Sequence, residues 1–523
     1  MKPAFTFEEI REAEKSIVGN DNVPSLILME NAGRNSFQVL FEEMADLDDR
    51  NIFIICGKGN NAGDGFVLAR QLLINGYDIK VVLLEKQSSF RGDALLNYHL
   101  LEKCANDNPG FISFAEFSSQ IKNSKRTLII DAILGTGIKG SLQKSYESAI
   151  VLINNLKNTL KNIKIISLDV PSGLMSGKRV NPVISADMTI TMGAVKTELL
   201  FGEGKQNCGR VIVVPIGITY ELISKNNTSG KYFTGLNDAR LLLPKRKKAS
   251  YKYANGKVLV IGGSKGISGS IMMSSYSAVK AGAGGVAAAI PKSIAWSFNK
   301  KLYEIMTVEL DETEEGSINS DSFGRIKKRM DWADGVLLGP GISTNDSVKE
   351  FVFDVIKNCD KPLVIDADGL NLLSNDISVL NNRKFKNEII LTPHLGEFSA
   401  LSGIPVKEIE LNRFNCALDF AKKYNVNLVI KSETTFSCTP AGKIYINSSG
   451  NEALGTAGTG DVLSGIIVSI LAQTGSAESA MICGNYIHGL SADIYFQKYG
   501  NKQSASPKDI IKYIPKAISG ILR

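Results

Sequence analysis

Continuous apolar runs and helical patterns alternate along most of the chain. Helical FTFEEIREAEKS and SLILMENAGRNSFQVLFEEM come first, followed by the apolar runs NIFII, IKVVLL, TLIIDA, KIISLDV, MTITMG and RVIVVPI, mostly with helical stretches between them. Strands that are covered on both faces read as uninterrupted apolar runs, because neither face meets water. The pattern therefore predicts an α/β fold with a doubly wound, mostly parallel sheet.

The alternation pauses at residues 224–230, SKNNTSG, a polar stretch typical of linkers. It resumes at Lys257 with VLVIGG, GGVAAAI, GVLLGPG, PLVIDADG, EIILTPH and NLVIKSE, and it ends in a long helical pattern over about residues 460–522. At 523 residues the chain is too long for one ordinary core. We therefore predict two α/β domains, residues 1–224 and 236–523, joined by a linker at residues 225–235.

Composition narrows the class of protein. Apolar content of 44%, charged content of 22% and a net charge of +7 are ordinary for a soluble globular protein. The seven cysteines are scattered and form no C-x-x-C pair, as in a reducing compartment. The amino-terminal segment lacks an apolar signal core, and the run after Asp461 is shorter than the ~20 apolar residues of a membrane span. We expect a cytoplasmic protein without a membrane partner. The basic run PKRKKASYK at 244–252 is interpreted as a solvated loop, so no nucleic-acid partner is expected.

The first glycine-rich stretch, CGKGNNAGDGF at 56–66, lies between the run NIFII and a helical pattern. Glycine allows close approach of a ligand, and the unpaired N–H groups of a helix start attract phosphate. Two further predicted strand ends carry polar groups, at Asp131 before AILGTGIKGS and at Asp169 in DVPSGL. Ligands of open α/β sheets bind beyond the carboxyl ends of the strands, so the three ends predict one phosphate-binding site. Oxygens of Asn61, Asp131 and Ser172 could also hold a hard cation.

Five motifs in this region carry a family resemblance. MENAGR (29–34), GNNAGDG (59–65), DAILGTG (131–137), DVPSGL (169–174) and TITMGAVKTELL (189–200) resemble, in order, the YjeF N-terminal family of NAD(P)H-hydrate epimerases. The resemblance implies that the hydrated dinucleotide contacts Asn60, Asn61, Ala62, Gly63, Asp64, Gly135, Thr136, Gly137, Ile138, Lys139, Gly140, Ser141 and Asp169. It also implies a potassium ion bound by Asn61, Asp131 and Ser172.

One position departs from that family, which usually has glycine where Ala62 stands. A positive φ there would strain alanine, but we expect an ordinary turn. In the epimerisation, the hydroxyl on C6 of the hydrated nicotinamide lies beside a ring nitrogen, so it can leave and return on the other face. This reaction needs a group that carries a proton, and Asp169 is the candidate.

A second glycine-rich stretch, NSSGNEALGTAGTGDVLSGIIVSIL at 447–471, precedes a long apolar helix. Its backbone N–H groups can receive phosphate oxygens, and Asp461 can take a proton from a hydroxyl that attacks phosphorus. The alternative is that Asp461 merely caps the helix, as aspartate often does. The pattern G-T-x-G-T-G-D favours the catalytic interpretation.

This pattern resembles the ribokinase-like fold. GKVLVIGGSKGISGS, GPG, DADGLN, LTPHLGEFSALSG, KSETT and GTAGTGDVLSGI are together similar to the ADP- or ATP-dependent NAD(P)H-hydrate dehydratases. The resemblance implies that the hydrated dinucleotide faces Ser270, Gly341, His394 and Asp461. It implies that the ADP or AMP portion is held by Lys431, Ser432, Glu433, Thr434, Thr435, Asn451, Glu452, Ala453, Leu454, Gly455, Thr456, Ala457, Gly458, Thr459 and Gly460. Mg²⁺ is expected to offset the phosphate charge, with no ligand assigned.

The chain has three histidines, and their sequence contexts differ. His99 lies in a predicted surface helix. His488 lies in an apolar helical pattern and is predicted to be a satisfied core histidine. His394 follows a strand end beside Pro393 and Glu397, which favours a position facing a ligand.

Together the motifs predict a bifunctional repair enzyme, a homo-oligomer by resemblance. One domain would interconvert the R and S hydrates of NADH and NADPH, and the other would dehydrate the S form with ADP or ATP as phosphoryl donor. One alternative is a ribokinase-like vitamin-precursor kinase with an N-terminal nucleotide-binding regulatory domain, which would release its phosphorylated product intact. Another is a binding scaffold like the module of RNA-decapping proteins. Such scaffolds would be expected to lack the polar set that this chain has at Asn61, Asp131, Asp169 and Ser172.

Overall fold

A computed structural model describes residues 1–105, 110–121, 126–138, 140–177, 181–225, 230–246 and 255–523. Lys139, part of the predicted linker and most of the basic run at 244–252 lie outside these ranges. The chain divides into two compact units, Lys2–Ser229 and Gly230–Arg523. Among the described residues, no helix has the length and apolar character needed to cross a bilayer.

The first unit alternates strands and helices. Its elements are β1 Lys2–Phe5, α1 Phe7–Gly19, α2 Ser25–Glu43, β2 Asn51–Cys56, α3 Asn60–Ile74, β3 Ile79–Leu83, α4 Gly92–Cys104, β4 Phe111–Ser113, α5 Phe114–Gln120, β5 Thr127–Ala132, α6 Lys144–Thr159, β6 Ile163–Leu168, β7 Met188–Met192, β8 Val195–Lys196, α7 Gly202–Asn207, β9 Arg210–Val214 and α8 Tyr220–Ser224.

Seven strands of the first unit form a parallel sheet in the order β4-β3-β2-β5-β6-β7-β9, and β1 and β8 pair with each other outside it. From β2 the chain adds β3 and β4 on one side, and it then returns to add β5 and the later strands on the other side. The boundary between β2 and β5 is therefore the switch point at which open α/β sheets bind ligands. Side chains of one strand alternate between two buried clusters. Ile54 packs in the cluster that includes Phe66 of α3, whereas Ile55 packs in the cluster that includes Ile150 of α6. Both faces are therefore covered, and the predicted doubly wound sheet is confirmed.

The second unit is also an α/β structure. Its elements are β10 Lys231–Thr234, α9 Leu236–Leu242, β11 Lys257–Ile261, α10 Ser268–Lys280, β12 Gly285–Pro291, α11 Lys292–Lys301, β13 Met306–Leu310, α12 Phe323–Trp332, β14 Gly335–Leu338, α13 Asp346–Asn358, β15 Leu363–Ile365, α14 Asp368–Leu373, β16 Ile389–Leu391, α15 Leu395–Ser402, α16 Val406–Leu411, α17 Arg413–Tyr424, β17 Asn427–Ile430, β18 Phe436–Cys438, β19 Ile444–Asn447, α18 Thr459–Thr474, α19 Ala477–Tyr499 and α20 Pro507–Leu522.

Strands of this unit are hydrogen-bonded in the order β13-β12-β11-β14-β15-β16-β17-β18-β19-β10. The pairs are parallel except those made by β18. Strand β10 lies within the stretch that the sequence pattern assigns to a linker. The predicted helical tail is three helices, of which α18 is buried along most of its length between α10 and α19. Such burial explains why α18 is apolar around its whole circumference.

Candidate active sites of the two units

A cavity of about 730 Å³ lies in the first unit, where the carboxyl ends of β2, β5 and β6 meet helices α1 and α2. Its lining includes nine of the residues that the motifs predict, namely Asn60, Asn61, Asp64, Gly135, Thr136, Gly137, Ile138, Ser141 and Asp169. Ala62, Gly63 and Gly140 do not line it. A volume of this size suits a small-molecule ligand, since such pockets measure roughly 300–1,000 Å³.

The glycine-rich stretch after β2 is the start of helix α3 rather than a loop. The helix begins at Asn60, and no side chain caps it, which leaves the first N–H groups available to an anion. Ala62 is helical and does not have a positive φ, so the substitution relative to the family brings no backbone strain. Gly63 is needed for packing, because a Cβ there would lie 2.5 Å from Met29 Sδ and 3.2 Å from Ala94 Cα.

A buried polar network joins the ends of β2, β5 and β6. The carboxylate of Asp131 is fully buried and accepts hydrogen bonds from Ser172 Oγ (2.5 Å), Ser172 N (2.9 Å) and Ser167 Oγ (2.8 Å). Burial raises the pKa of Asp131, and these hydrogen bonds oppose the rise. Asn61 Nδ2 donates to the carbonyl of Leu134 (3.0 Å), whose N–H donates to Ser172 Oγ (2.9 Å). Asn61 Oδ1 is buried and has no hydrogen-bond partner among the described residues.

Asp169 stands at the end of β6 in an unusual backbone conformation. Its φ of 64° lies in the left-handed region, which is costly for a residue other than glycine and is concentrated at functional sites. Its Oδ1 accepts from Lys196 Nζ at 2.6 Å. Lys196 is only 1% exposed and also donates to the carbonyl of Met192 at 2.7 Å. The cavity wall therefore contains a tight ion pair.

Two more carboxyl groups face the same cavity. Burial raises the pKa of Glu14 to about 7, with Lys196 lowering it and Asp169 raising it. Burial also raises the pKa of Asp64 well above its usual range, and the charges of Asp169 and Glu14 add to the rise. One lysine thus faces three carboxyl groups, so the cavity contains both an ion pair and carboxyl groups that hold protons near neutral pH.

Glu14 and Lys196 are absent from the residues that the motifs predict. A signal for Glu14 exists in the sequence, because it falls in the i, i+3, i+4, i+7 stripe of α1 with the buried residues Ile10, Ala13 and Ile17. Lys196 interrupts the apolar run of TITMGAVKTELL. A charged residue in an apolar pattern is the feature that both share.

In the second unit, neighbouring strands bring the predicted residues together. Gly341, His394 and Lys431 follow the ends of β14, β16 and β17, and Ser270 lies in the first turn of α10, which follows β11. Gly341 has a φ of 63°, and a Cβ there would lie 3.3 Å from Ser270 Cβ. The predicted substrate residues of this unit therefore share one edge of the sheet.

Asp461 is the third residue of α18 and is not the cap of that helix. The N-cap is Gly458, and no side chain caps α18, so its first N–H groups can donate hydrogen bonds to phosphate oxygens. The pKa of Asp461 is raised to about 7, mainly by burial and also by the charge of Asp366, while a hydrogen bond with Ser270 opposes the rise. A carboxyl group with a pKa near neutrality is suited to proton transfer.

Lys431 lies beside the start of α18, because a Cβ on Gly460 would be 3.3 Å from its Nζ. The Nζ is 2.8 Å from Asp366 Oδ1 and 3.9 Å from Glu397 Oε2. Burial opposes its charge, but the two carboxylates outweigh burial and raise the pKa of Lys431. Asp366 and Glu397 belong to quoted motifs, DADGLN and LTPHLGEFSALSG, but are absent from the predicted site residues.

The three histidines differ in exposure and in hydrogen bonding. His394 caps α15, with Nδ1 accepting from the N–H groups of Gly396 (3.0 Å) and Glu397 (3.2 Å), while its side chain is 60% exposed. His99 is exposed on α4. His488 is buried, which lowers its pKa to about 4, but its Nε2 has no partner among the described residues. His488 is therefore a core residue that is not fully hydrogen-bonded.

The predicted nucleotide segment at 451–460 is held largely by its own side chains. Asn451 Nδ2 donates to Asp493 Oδ1 at 2.8 Å, and Asn451 Oδ1 accepts from the N–H of Ala453. Thr459 Oγ1 donates to the carbonyl of Leu454 at 2.7 Å. These contacts fix the loop and leave backbone groups, rather than those side chains, to meet a ligand.

Comparison with known proteins covers both units. A family model described as NAD(P)H-hydrate dehydratase matches residues 258–516, and one described as YjeF-related protein N-terminus matches residues 25–198. The bifunctional NAD(P)H-hydrate repair enzyme of Moorella thermoacetica is 32% identical over 520 residues, which cover 99% of this chain and 96% of that protein. Its counterpart from Dictyoglomus turgidum is 32% identical, with 99% of this chain and 98% of that protein covered.

A solved structure of ADP/ATP-dependent NAD(P)H-hydrate dehydratase from Bacillus subtilis is 24% identical, with a TM-score of 0.47, and covers 55% of this chain and 98% of that one. The full-length matches confirm the resemblance that the motifs predict in each half of the sequence. The chain belongs to the family of bifunctional NAD(P)H-hydrate repair enzymes.

Proposed function

We propose that the first unit epimerises the R and S hydrates of NADH and NADPH, and that the second dehydrates the S form with ADP or ATP as phosphoryl donor. One observation carries this proposal. The chain matches bifunctional repair enzymes over its full length and contains two sites at the carboxyl ends of strands. A dehydratase alone would leave the R hydrate unrepaired, which explains the use of two sites.

In the first unit, Asp169 is the proposed proton carrier. Its ion pair with Lys196 fixes the carboxylate at the cavity wall, 2.6 Å from the ammonium. The uncapped start of α3 and the segment at 135–138 would bind the pyrophosphate through backbone N–H groups, and the family resemblance extends this site to 141. Positioning of the ring beside Asp169 lets the C6 hydroxyl leave and return on the other face.

A potassium ion fits the network at Asn61, Asp131 and Ser172. Among the described residues, no donor reaches the buried Oδ1 of Asn61, and the carboxyl group of Asp131 is fully buried. Oxygen atoms of this kind are the ligands of hard cations. When bound, the ion would offset the charge of Asp131 and of the substrate phosphates. Epimerisation measured in KCl and in LiCl at equal ionic strength tests this assignment.

In the second unit, Asp461 is the proposed base. It would take the proton of the C6 hydroxyl as that oxygen attacks the terminal phosphorus of ADP or ATP. Elimination of phosphate from C6 together with a proton from C5 would then restore the dihydronicotinamide ring. The start of α18 and the ammonium of Lys431 would stabilise charge on the phosphoryl group. Mg²⁺ would bind mainly through phosphate oxygens. The described residues contain no group of three His, Cys, Asp or Glu side chains arranged for a metal ion, so no ligand is assigned to it.

The test uses the full-length protein and a mixture of R and S hydrates of NADH, with ADP, ATP or no nucleotide. Regenerated NADH is followed by its near-ultraviolet absorbance. Recovery of both epimers, faster than spontaneous epimerisation and only with nucleotide, is the expected result. Asp169→Asn should then recover the S portion alone. A phosphorylated product that leaves intact would instead support the vitamin-precursor kinase.

From composition and sequence pattern, we also propose that the chain is cytoplasmic and acts on small molecules without nucleic-acid or membrane partners. From the family resemblance alone, we propose that it is a homo-oligomer. Light scattering on the purified protein tests the oligomeric state.

A further inference from the structure

Helix α1 covers the cavity of the first unit and contributes a charged residue to it. Arg11 Nη1 donates to the carbonyl of Thr136 at 3.1 Å, which ties the helix to the segment after β5. Glu14 lies three residues later on the same face and lines the cavity with Asp64 and Asp169. Glu14 is half-buried at a position of the apolar stripe of α1, where an apolar side chain would avoid the cost of desolvating a carboxyl group.

The charges around Glu14 come from several elements. Lys196 on β8, Asp169 after β6 and Asp64 on α3 face it from other elements, and Arg11 lies on its own helix. Lys196 is already engaged with Asp169 at 2.6 Å. With the lysine so engaged and its own site buried, the pKa of Glu14 rises to about 7, so the group can both give and take a proton near neutral pH.

We infer that Glu14 donates the proton to the leaving C6 hydroxyl of the hydrated nicotinamide, while Asp169 accepts the proton of the water that returns. This inference rests on the proposed epimerase function. In the first step the C6–O bond breaks with both electrons going to oxygen, and the proton of Glu14 completes a water molecule. The lone pair of the ring nitrogen forms a double bond to C6 at the same time.

In the second step a water molecule adds to C6 from the other face, the electrons of the double bond return to nitrogen, and the released proton passes to the carboxylate of Asp169. Asp169 forms the ion pair with Lys196 and Glu14 does not, so the two carboxyl groups are assigned different roles. The proton then returns from Asp169 to Glu14 through solvent, which restores both groups for the next R hydrate. Conversion in the other direction reverses these roles, and no oxidant or further reactant is required.

The experiment separates epimerisation from dehydration. Pure R hydrate of NADH is incubated with full-length protein without nucleotide, and formation of the S hydrate is followed by chromatography after subtraction of the spontaneous rate. Dehydration of the S hydrate with added nucleotide serves as the internal control for each variant. The variants are Glu14→Gln, Glu14→Asp and the matched control Glu12→Gln, which changes an exposed residue of the same helix.

For Glu14→Gln we expect kcat of epimerisation to fall by about 10²–10⁴-fold, with KM changed less than about threefold, since general acids contribute rates of this size. Dehydration of the S hydrate and the behaviour of Glu12→Gln should equal those of the wild type. The wild-type epimerisation rate should fall as pH rises above about 7, because the donor loses its proton. Glu14→Asp should keep part of the epimerisation rate and should still lose rate as pH rises above about 7. The residual rate of Glu14→Gln should not fall over that range.

A wild-type rate in Glu14→Gln, or a loss that lies in KM alone with the pH profile unchanged, would overturn this inference and leave the epimerase standing. The same conclusion follows if Asp64→Asn, and not Glu14→Gln, removes the decline above pH 7. Failure of the wild type to convert the R hydrate would overturn the proposed epimerase and the inference with it.

Discussion

Replacement of Asp461 by asparagine should stop dehydration and at the same time stabilise the second unit at alkaline pH. The carboxyl group is only 9% exposed, and burial together with the charge of Asp366 raises its pKa from 3.8 to about 7. The folded protein therefore holds this proton more tightly than the unfolded chain does. The stability associated with that proton is fully present below about pH 4 and is lost as pH rises through about 7.

The magnitude follows from the same pKa. Each pKa unit corresponds to about 1.36 kcal/mol, so ionised Asp461 lowers the free energy of unfolding by on the order of 4 kcal/mol at pH 8. Asparagine carries no charge, so the variant should match the wild type near pH 4 and exceed it by that amount at pH 8. Dehydration should fall by about 10²–10⁴-fold, since the base is removed.

Urea unfolding followed by tryptophan fluorescence is the suitable assay. The two tryptophans of the chain, Trp296 and Trp332, both belong to the second unit, so the signal reports this unit alone. Nucleotide-free protein is measured at several pH values between 5 and 8. The matched control is Asp346→Asn, which changes an exposed aspartate in the first turn of α13. This control should show no such dependence on pH.

Two results would refute the reasoning. If Asp461→Asn gains no stability between pH 5 and pH 8, the carboxyl group does not resist ionisation in the folded protein. If the variant still dehydrates the S hydrate at the wild-type rate, another group acts as the base. A gain in stability together with a loss of activity is the combination expected of a group that is kept for chemistry rather than for folding.

Three further substitutions test the first unit. Ala62→Gly should cost up to about 1 kcal/mol of stability, because the position is helical, and should leave epimerisation unchanged. Gly63→Ala should lower the free energy of unfolding by about 1–3 kcal/mol, because the added Cβ would lie 2.5 Å from Met29 Sδ. Hydrogen–deuterium exchange protection of α3 equal to that of the wild type would contradict this prediction. Lys196→Met should cost about 3–5 kcal/mol by leaving the carboxylate of Asp169 unpaired, and should abolish epimerisation while dehydration of the S hydrate continues.

The sequence pattern predicts most strands of the two parallel sheets and misses several others, among them β13 and β18. The runs NIFII and TLIIDA correspond to β2 and β5, whose residues face two buried clusters. Strand β13, with the sequence MTVEL, is partly exposed over four of its five residues, and β18 has only three residues. Thr307 and Glu309 interrupt β13, and Ser437 lies in the middle of β18, so neither segment gives a continuous apolar run that this criterion could detect.

Some site residues can be located from the sequence and others cannot. Residues directly after strands, such as Asp169 and Lys431, can be located from sequence because the carboxyl ends of parallel strands meet at one edge. Glu14 reaches the cavity from a helix that precedes every strand of the parallel sheet, and Lys196 reaches Asp169 from β8, which is outside that sheet. Their positions depend on how distant segments pack, which local patterns do not contain.

The two sites share an arrangement of charge. Each places one lysine among three carboxyl groups that are too many for it to neutralise. In the first unit the lysine is Lys196, with Glu14, Asp64 and Asp169; in the second it is Lys431, with Asp366, Glu397 and Asp461. In each site one carboxylate lies within 2.8 Å of the lysine, and another carboxyl group has a pKa of about 7.

This shared arrangement has opposite consequences for the two proposed reactions. Glu14 must hold its proton to act as an acid, so epimerisation should decline as pH rises through about 7. Asp461 must lose its proton to act as a base, so dehydration should increase over the same range. The two rates are therefore high together only near neutral pH, where the R hydrate can be converted to the S form and the S form dehydrated by one chain. A shift of either pKa by a unit or more would make one reaction limit the other.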